Sequence, residues 1–166
     1  MATIMRMYEM SKKYEITEET KEFESVTLHR IRALLDIPRH GVRAGDMGGW
    51  VECEDNLSQD GDAWIGGNAE VCGHAKVCGH AWVYGSVLVF GKAKVYGDAN
   101  IYGDVRVYGG ARVFENANIY GNAKVCGGAW VYGDVDVFGN ANIYGDAKIC
   151  GDVEVCGDAK VLRNVS

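Results

Sequence analysis

Ala93-Lys-Val-Tyr-Gly-Asp98, Ala99-Asn-Ile-Tyr-Gly-Asp104 and Val105-Arg-Val-Tyr-Gly-Gly110 are three consecutive copies of one six-residue pattern. The third residue of each copy is Val or Ile, and it recurs at every sixth position from Ile65 to Val161 without an insertion. Two residues before it comes Ala or Val, and two residues after it comes Gly in nearly every copy. A strict period of this kind is typical of a solenoid, in which each repeat contacts only its neighbours.

The spacing of the small and large apolar residues predicts short β-strands that wind into a coil. Side chains alternate along a strand, so the Ala and the following Val or Ile point inward while their neighbours point outward. Gly and the Asp, Asn or Gly after it supply a turn, because a positive φ costs little at Gly. Three strand-and-turn sides make one coil of 18 residues. The sequence therefore predicts an all-β, single-stranded parallel β-helix with a triangular cross-section.

The hexapeptide pattern resembles that of the left-handed parallel β-helix family. The left hand of the spiral is implied by this resemblance alone, since general chain chirality favours the opposite hand. A second resemblance lies in Val42-Arg-Ala-Gly-Asp-Met-Gly-Gly-Trp-Val-Glu52 and Asn56-Leu-Ser-Gln-Asp-Gly-Asp-Ala-Trp-Ile65. These segments look like the opening of a bacterial and phage family with hexapeptide repeats, whose members are labelled acetyltransferases. The similarity covers about residues 11–161, and the label rests on the fold, which does not fix function.

Composition and charge argue against several classes of protein. The chain of 166 residues has a net charge of −6, of which −5 lies in residues 1–62 (8 Lys and Arg against 13 Asp and Glu) and −1 in residues 63–166. A nearly neutral coil argues against a nucleic-acid partner and against an acidic DNA mimic. No apolar run approaches the ~20 residues of a membrane-spanning helix, and the first ten residues lack the apolar core of a signal peptide. We therefore expect a cytoplasmic protein with no membrane partner.

The chain is predicted to divide into a candidate extension at 1–10, an N-terminal cap at 11–56 and the β-helix at 57–166. Solenoid ends expose backbone groups and core residues, so they usually carry an atypical cap. At the other end, Val161-Leu-Arg-Asn-Val-Ser166 offers neither a helix nor a polar cap. We expect the last coil to be an assembly surface or to be covered by its own last residues.

Within the cap, the pattern predicts mainly β-structure. Lys13–Thr17 and Val26–Leu35 contain short β-compatible alternations, separated by the charged run Glu18–Glu24. A helix over Thr17–Phe23 is the alternative, because Thr17-Glu-Glu-Thr resembles the first turn of a helix. The Gly-rich segment Arg39–Gly49 is predicted to be a loop.

Residues 18 apart stack in neighbouring coils ~4.8 Å apart, so the outward columns can be written from the sequence. The first face carries Trp64, Trp82, Asn100, Asn118, Asp136, Glu154 beside Gly66, Tyr84, Tyr102, Tyr120, Phe138, Cys156. The second face carries Glu70, Leu88, Arg106, Lys124, Asn142, Lys160 beside Cys72, Phe90, Tyr108, Cys126, Tyr144, Leu162. The third face carries Lys76, Lys94, Arg112, Trp130, Lys148 beside Cys78, Tyr96, Phe114, Tyr132, Cys150. Every face has an aromatic column, the second and third faces are basic, and the first face ends in acidic residues.

This outward apolar surface predicts a protein–protein interface. Stacked rings also stabilise a coil without any partner, by about 0.5–1.5 kcal/mol for each pair. The first face has a charge opposite to that of the other two, so packing it against a basic face of a neighbouring copy pairs both charges and rings. We therefore expect a homo-oligomer, with another protein as a further partner. The predicted interface residues are Trp64, Trp82, Tyr84, Tyr102, Tyr120 and Phe138.

His80 is the candidate catalytic residue. Its turn column holds Asp62 one coil before and Asp98 one coil after, and a His between carboxylates can serve as a general base. Acyltransferases of the hexapeptide family use a His to activate the acceptor and bind acyl-CoA between subunits of a trimer, so the resemblance implies acetyl-CoA as a cofactor. No inserted loop shapes an acceptor pocket here. A non-catalytic binding or scaffolding protein without a cofactor is therefore preferred, and a trimeric acetyltransferase is the alternative.

The cysteine and histidine spacing predicts no metal site. Cys72, His74, Cys78 and His80 look like a zinc ligand set, but consecutive repeats lie on different sides of the triangle. Four such ligands cannot meet within ~2.3 Å of one metal. Cysteines that share a column lie several coils apart, beyond the ~7 Å between Cα atoms that a disulfide spans. We expect free thiols in a reducing compartment.

Overall fold

The computed structural model describes residues 12–166, so the candidate extension at 1–10 lies outside the described residues. The described chain begins with three cap strands, β1 (Tyr14–Phe23), β2 (Val26–Ala33) and β3 (Met47–Val51). Short 3-10 helices follow β2 and β3, at Pro38–His40 and Glu54–Asn56. Within residues 12–166, no helix has the length and apolar character needed to cross a membrane.

The rest of the chain consists of two-residue strands at intervals of six residues. In chain order, β4 to β20 are Trp64–Ile65, Glu70–Val71, Lys76–Val77, Trp82–Val83, Leu88–Val89, Lys94–Val95, Asn100–Ile101, Arg106–Val107, Arg112–Val113, Asn118–Ile119, Lys124–Val125, Trp130–Val131, Asp136–Val137, Asn142–Ile143, Lys148–Ile149, Glu154–Val155 and Lys160–Val161. Each strand pairs in parallel with the strand 18 residues away. Asn100, for example, pairs with Trp82 in the preceding coil and with Asn118 in the next.

One sheet forms each side of the coil. The first face is the six-stranded sheet that runs from β4 to β19, and the third face is the five-stranded sheet from β6 to β18. The second face has nine strands because β3, β2 and β1 continue its sheet beyond β5. The coils of about 18 residues stack in about six turns. The predicted all-β fold of stacked parallel coils is therefore confirmed.

One continuous core of apolar side chains fills the coils. Every Val or Ile at the repeat position from Ile65 to Ile149 is 0% exposed. The residues on either side of each point outward, which is the period-two alternation of a strand. The same core cluster continues into the cap through Tyr14, Ile31 and Ile37. The cap and the coil therefore share one hydrophobic core.

The structure corrects two predictions about the cap. The acidic run Glu18–Glu24 neither separates strands nor forms a helix, because β1 extends through it to Phe23 in antiparallel pairing with β2. The exposed side of this edge strand accommodates the charged side chains. The strand β3 begins inside the predicted loop, since Gly48 and Gly49 let its backbone lie against the coil. A Cβ at Gly48 would come within 2.7 Å of the Trp64 ring.

Polar side chains of the cap bind backbone carbonyls of the first coils. Nδ2 of Asn56 donates hydrogen bonds to the carbonyl oxygens of Gly73 and Ala75, at 3.1 and 2.9 Å. Nζ of Lys13 donates to the carbonyl oxygen of Ala63 at 2.8 Å. Deeper in the coil, such carbonyls accept from backbone N–H groups of the preceding coil. The cap therefore supplies the donors that the first coils lack.

The last described residues close one side of the final coil. Val165 pairs in parallel with Ile149, and its N–H donates to the carbonyl of Lys148 at 2.8 Å. Oδ1 of Asn164 accepts the N–H of Lys148 at 2.9 Å. The end of the coil was expected to be an assembly surface or to be covered by its own last residues. On the third face, the last residues do cover it.

Candidate interaction face and the His80 corner

Four outward rings of the first face form one continuous stack. The ring centroids of Tyr84 and Tyr102 are 5.2 Å apart, those of Tyr102 and Tyr120 5.1 Å, and those of Tyr120 and Phe138 5.0 Å. Neighbouring ring planes differ by 12° at most. The strand register sets this spacing, because each ring starts from the same position of consecutive coils. The stack is half-buried and presents its outer edge to solvent.

The column beside this ring stack consists of short polar side chains. Nδ2 of Asn100 donates to Oδ1 of Asn118 at 3.3 Å, which links two consecutive coils. Further along, Asp136 pairs in register with Glu154. Two like charges at directly paired positions repel each other. The far end of the first face is therefore a place where a cation is favoured.

Two of the predicted interface residues lie partly or wholly under the cap. Trp64 is only 2% exposed, so its ring belongs to the core rather than to an outer surface. The close approach of the Gly48 backbone covers it. Trp82 is half-buried between the rings of His40 and Tyr84, with centroids 5.1 and 4.2 Å away. The open part of the first face therefore begins at Tyr84.

His80 contacts one of its two predicted carboxylate partners. Its Nδ1 lies 3.2 Å from Oδ2 of Asp62, and both side chains are 47% exposed. Asp98 does not complete the pair, because its Oδ1 accepts a hydrogen bond from Nη2 of Arg39 at 2.5 Å. With Nδ1 held, Nε2 of His80 is the nitrogen that a substrate or ligand would meet.

Two cap residues that were not predicted from the sequence, Arg39 and His40, complete this corner. Nε2 of His40 lies 3.1 Å from the carbonyl oxygen of His80, and Arg39 binds Asp98. Burial lowers the pKa of His40, its contact with the His80 backbone opposes this, and the nearby charge of Arg39 lowers the pKa further. Arg39 and His40 therefore fix the short 3-10 helix of the cap to the coil. No sequence signal marks these two contacts. Arg39 and Asp98 are 59 residues apart, His40 and His80 are 40 residues apart, and neither separation is a multiple of the 18-residue coil.

The clefts next to this corner do not include the His80–Asp62 pair. One cleft, of about 370 Å³, is lined by residues from Glu54 to Gln59 and from Lys76 to Cys78. Another, of about 360 Å³, lies between Met47 and Tyr84. Substrate sites usually bury most of the ligand surface, whereas the side chains of this pair are exposed at a coil corner.

Lys13 is a buried cation beneath the same corner. It is 4% exposed, and burial lowers its pKa from 10.5 to about 8, although the carboxylates of Asp62 and Asp60 act in the opposite direction. Because the folded pKa lies below the unfolded one, the unfolded chain binds more protons between about pH 8 and pH 10.5. The contribution of Lys13 to the free energy of unfolding therefore rises with pH across that window.

We expect the stability of the wild type relative to Lys13→Met to rise by about 1 kcal/mol between pH 8 and pH 9. Urea unfolding of both proteins at each pH measures this difference. The difference between the two proteins does not contain the pH dependence of groups that both share. One such group is Cys72, whose pKa burial raises to about 11. A difference that stays constant with pH would contradict the assignment.

The six cysteines are free thiols. The raised pKa of Cys72 keeps its thiol protonated near neutral pH, so it is a poor nucleophile. Burial also raises the pKa of Cys78. In the part of the chain that the structure describes, no group of three or more His, Cys, Asp or Glu residues could hold a metal ion.

The comparisons with known proteins assign no activity to the chain. No protein-family model matches it. No curated protein matches it significantly.

Proposed function

We propose that the protein is a non-catalytic binding and scaffolding protein that self-associates through its first face. The observation that carries this proposal is the uninterrupted ring stack from Tyr84 to Phe138. Aromatic side chains are enriched at protein interfaces because they bury a large area with few rotatable bonds. Rings already ordered by stacking lose little further freedom on binding.

The third face is the complementary surface on a neighbouring copy. Lys76, Lys94 and Arg112 occupy directly paired positions, and three cations in register repel one another unless an anionic partner covers them. Next to this column, Tyr96 and Phe114 stack at 4.8 Å, and Tyr132 continues the stack. Lys148 lies further along the same column. In the proposed contact between the first and third faces, rings pack against rings and the carboxylate of Asp136 lies against Lys148 of the neighbouring copy.

The second face is a poorer partner because the hairpin formed by β1 and β2 projects over it. Phe23 and Val26, at the hairpin tip, pack with Leu28, Trp50 and Cys72 on the outer side of this face. The sheet of the third face contains no cap strand. A contact between two different faces is heterologous, and copies related by a rotation close into a ring.

Sedimentation of Tyr102→Glu tests the proposal. A carboxylate in the middle of the ring stack is expected to raise the dissociation constant for self-association roughly 30-fold or more. Tyr144→Glu, which changes a ring of the second face, is the matched control and should leave the mass of the assembly unchanged. Equal masses for wild type and Tyr102→Glu would remove the first face as the interface.

A charge exchange tests which face is the partner. Asp136→Lys is expected to weaken association because it places a cation against Lys148 of the neighbouring copy. Adding Lys148→Asp in the same chain reverses both charges and should restore association. Failure of the double variant to recover would exclude this pairing, whatever the result with Tyr102→Glu.

A second candidate function is acyl transfer from acetyl-CoA, which the 3.2 Å contact between His80 and Asp62 favours. The His would act as the general base that activates the acceptor. Calorimetric titration with acetyl-CoA, followed by a transfer assay on His80→Ala, tests it against His74→Ala as the control. Turnover that only His80→Ala abolishes would replace the proposal of a non-catalytic protein.

The free thiols of the six cysteines support a reducing compartment, so we place the assembly in the cytoplasm. The resemblance to a phage family supports one extension, in which the first face also captures a host protein. Such a partner would compete with self-association, so Tyr102→Glu would weaken both contacts.

A further inference from the structure

A cleft opens between the cap hairpin and the outer side of the second face. Its volume is about 270 Å³, just below the ~300–1,000 Å³ that is typical of small-molecule sites. Its lining residues come from the hairpin tip and from three consecutive coils. They are Phe23, Glu24, Leu88, Phe90, Arg106, Tyr108 and Lys124.

The hairpin tip is held over this cleft by apolar contacts. Phe23 and Val26 pack against the outward cluster that contains Trp50, and Phe90 joins the same cluster. Glu24, at the turn, adopts a φ of +53°. Glu24 is the first residue of the two-residue turn between Phe23 and Val26, and such hairpin turns favour a positive φ. Phe23 and Glu24 line the cleft, so the hairpin tip forms one of its walls.

The floor of the cleft is aromatic. The rings of Phe90 and Tyr108 stack with centroids 4.9 Å apart and planes 7° from parallel. Leu88 lies beside them in the adjacent column. Because these two rings stack on each other, a planar ring meets their edges on one side of the cleft and Phe23 on the other.

The rim of the cleft is cationic. Arg106 and Lys124 occupy directly paired positions in consecutive coils, and both are exposed. Among residues 12–166, neither forms an ion pair, and Glu24 does not reach them. Two neighbouring cations without a counter-charge repel each other and attract a multiply charged anion.

We propose that this cleft binds a small molecule that combines a planar aromatic ring with a phosphate, the chemistry of a nucleoside monophosphate. The ring packs between Phe23 and the Phe90–Tyr108 floor. The phosphate lies between Arg106 and Lys124, where a guanidinium can bind two of its oxygens at once. The site lies on the second face, away from the first and third faces of the proposed assembly, so it does not depend on self-association.

Calorimetric titration of the full chain with adenosine 5′-monophosphate tests this site. We expect it to bind more tightly than adenosine, which lacks the charge, and more tightly than inorganic phosphate, which lacks the ring. Arg106→Ala should weaken binding about tenfold. The matched control is Lys160→Ala, which removes an exposed cation from the same column outside the cleft.

A second variant separates the ring contact from the charge contact. Tyr108→Ser is expected to reduce the affinity for the nucleotide about tenfold while leaving the weak affinity for inorganic phosphate unchanged. The proposal is overturned if adenosine monophosphate binds no better than inorganic phosphate, or if Lys160→Ala loses as much affinity as Arg106→Ala. Sedimentation of Arg106→Ala should show the wild-type mass, so failure here is distinguishable from failure of self-association.

Discussion

Replacing Asn56 with alanine is expected to lower the free energy of unfolding by about 4 kcal/mol. The side chain is 0% exposed, and its Oδ1 accepts the N–H groups of Glu52 and Cys53, both at 3.0 Å. Its Nδ2 donates to the carbonyls of Gly73 and Ala75. The N–H of Glu52 would keep a second acceptor, the carbonyl of Val71 at 3.2 Å. Alanine would leave the other three backbone groups without a partner, and each buried group without a partner costs about 1–3 kcal/mol.

Urea unfolding of Asn56→Ala beside Asn122→Ala measures this effect. Asn122 also makes an amide hydrogen bond, donating from Nδ2 to Oδ1 of Asn140 at 3.2 Å, but both residues are exposed. Water can replace that bond, so the control should lose less than about 0.5 kcal/mol. If both variants lose similar stability, the cap does not depend on Asn56 to satisfy the first coils.

Gly127→Ala is expected to lower the free energy of unfolding by about 3 kcal/mol. The residue has a φ of +69°, and an added Cβ would lie 2.8 Å from the carbonyl oxygen of Gly145 in the next coil. The left-handed backbone costs an alanine about 1–2 kcal/mol. The close contact adds about 1–3 kcal/mol, because the neighbouring coil must shift to relieve it.

Gly157→Ala separates these two costs. Gly157 has nearly the same backbone, with a φ of +65°, but an added Cβ would meet nothing within 4 Å. This control should lose only about 1–2 kcal/mol. In the opposite direction, Glu115 adopts a φ of +57° at the equivalent turn position, so Glu115→Gly should gain about 1 kcal/mol. Equal losses at Gly127 and Gly157 would show that coil-to-coil contact does not restrict the turn.

Much of the coil could be predicted from the sequence because its contacts are local in the repeat. A residue such as Tyr102 meets the residues 18 before and after it, so the ring stack with Tyr84 and Tyr120 follows from counting. The same counting placed Asp62 one coil from His80. The fully buried Val and Ile positions followed from the alternation of side chains along a strand.

The cap could not be predicted in the same way, because it has no period. Nothing in the acidic run Glu18–Glu24 indicates that β1 continues through it. The burial of Trp64 also depends on a contact outside the repeat, since the glycine backbone of β3 covers its ring. Arg39 also binds Asp98, which is 59 residues away in the sequence. Because of this contact, His80 has only one of the two carboxylate partners expected beside it.

By itself, the sequence determined the coil, its inward apolar residues and the composition of its three outer faces. These features depend on alternation and on a fixed spacing of six residues, which fold by contact with the nearest repeats. Only the tertiary structure decided which parts of those faces remain open, which side chains close the first coil, and where the hairpin forms a cleft. Those features depend on contacts between a cap without a period and a repeat, and such pairings leave no regular signal in the order of the amino acids.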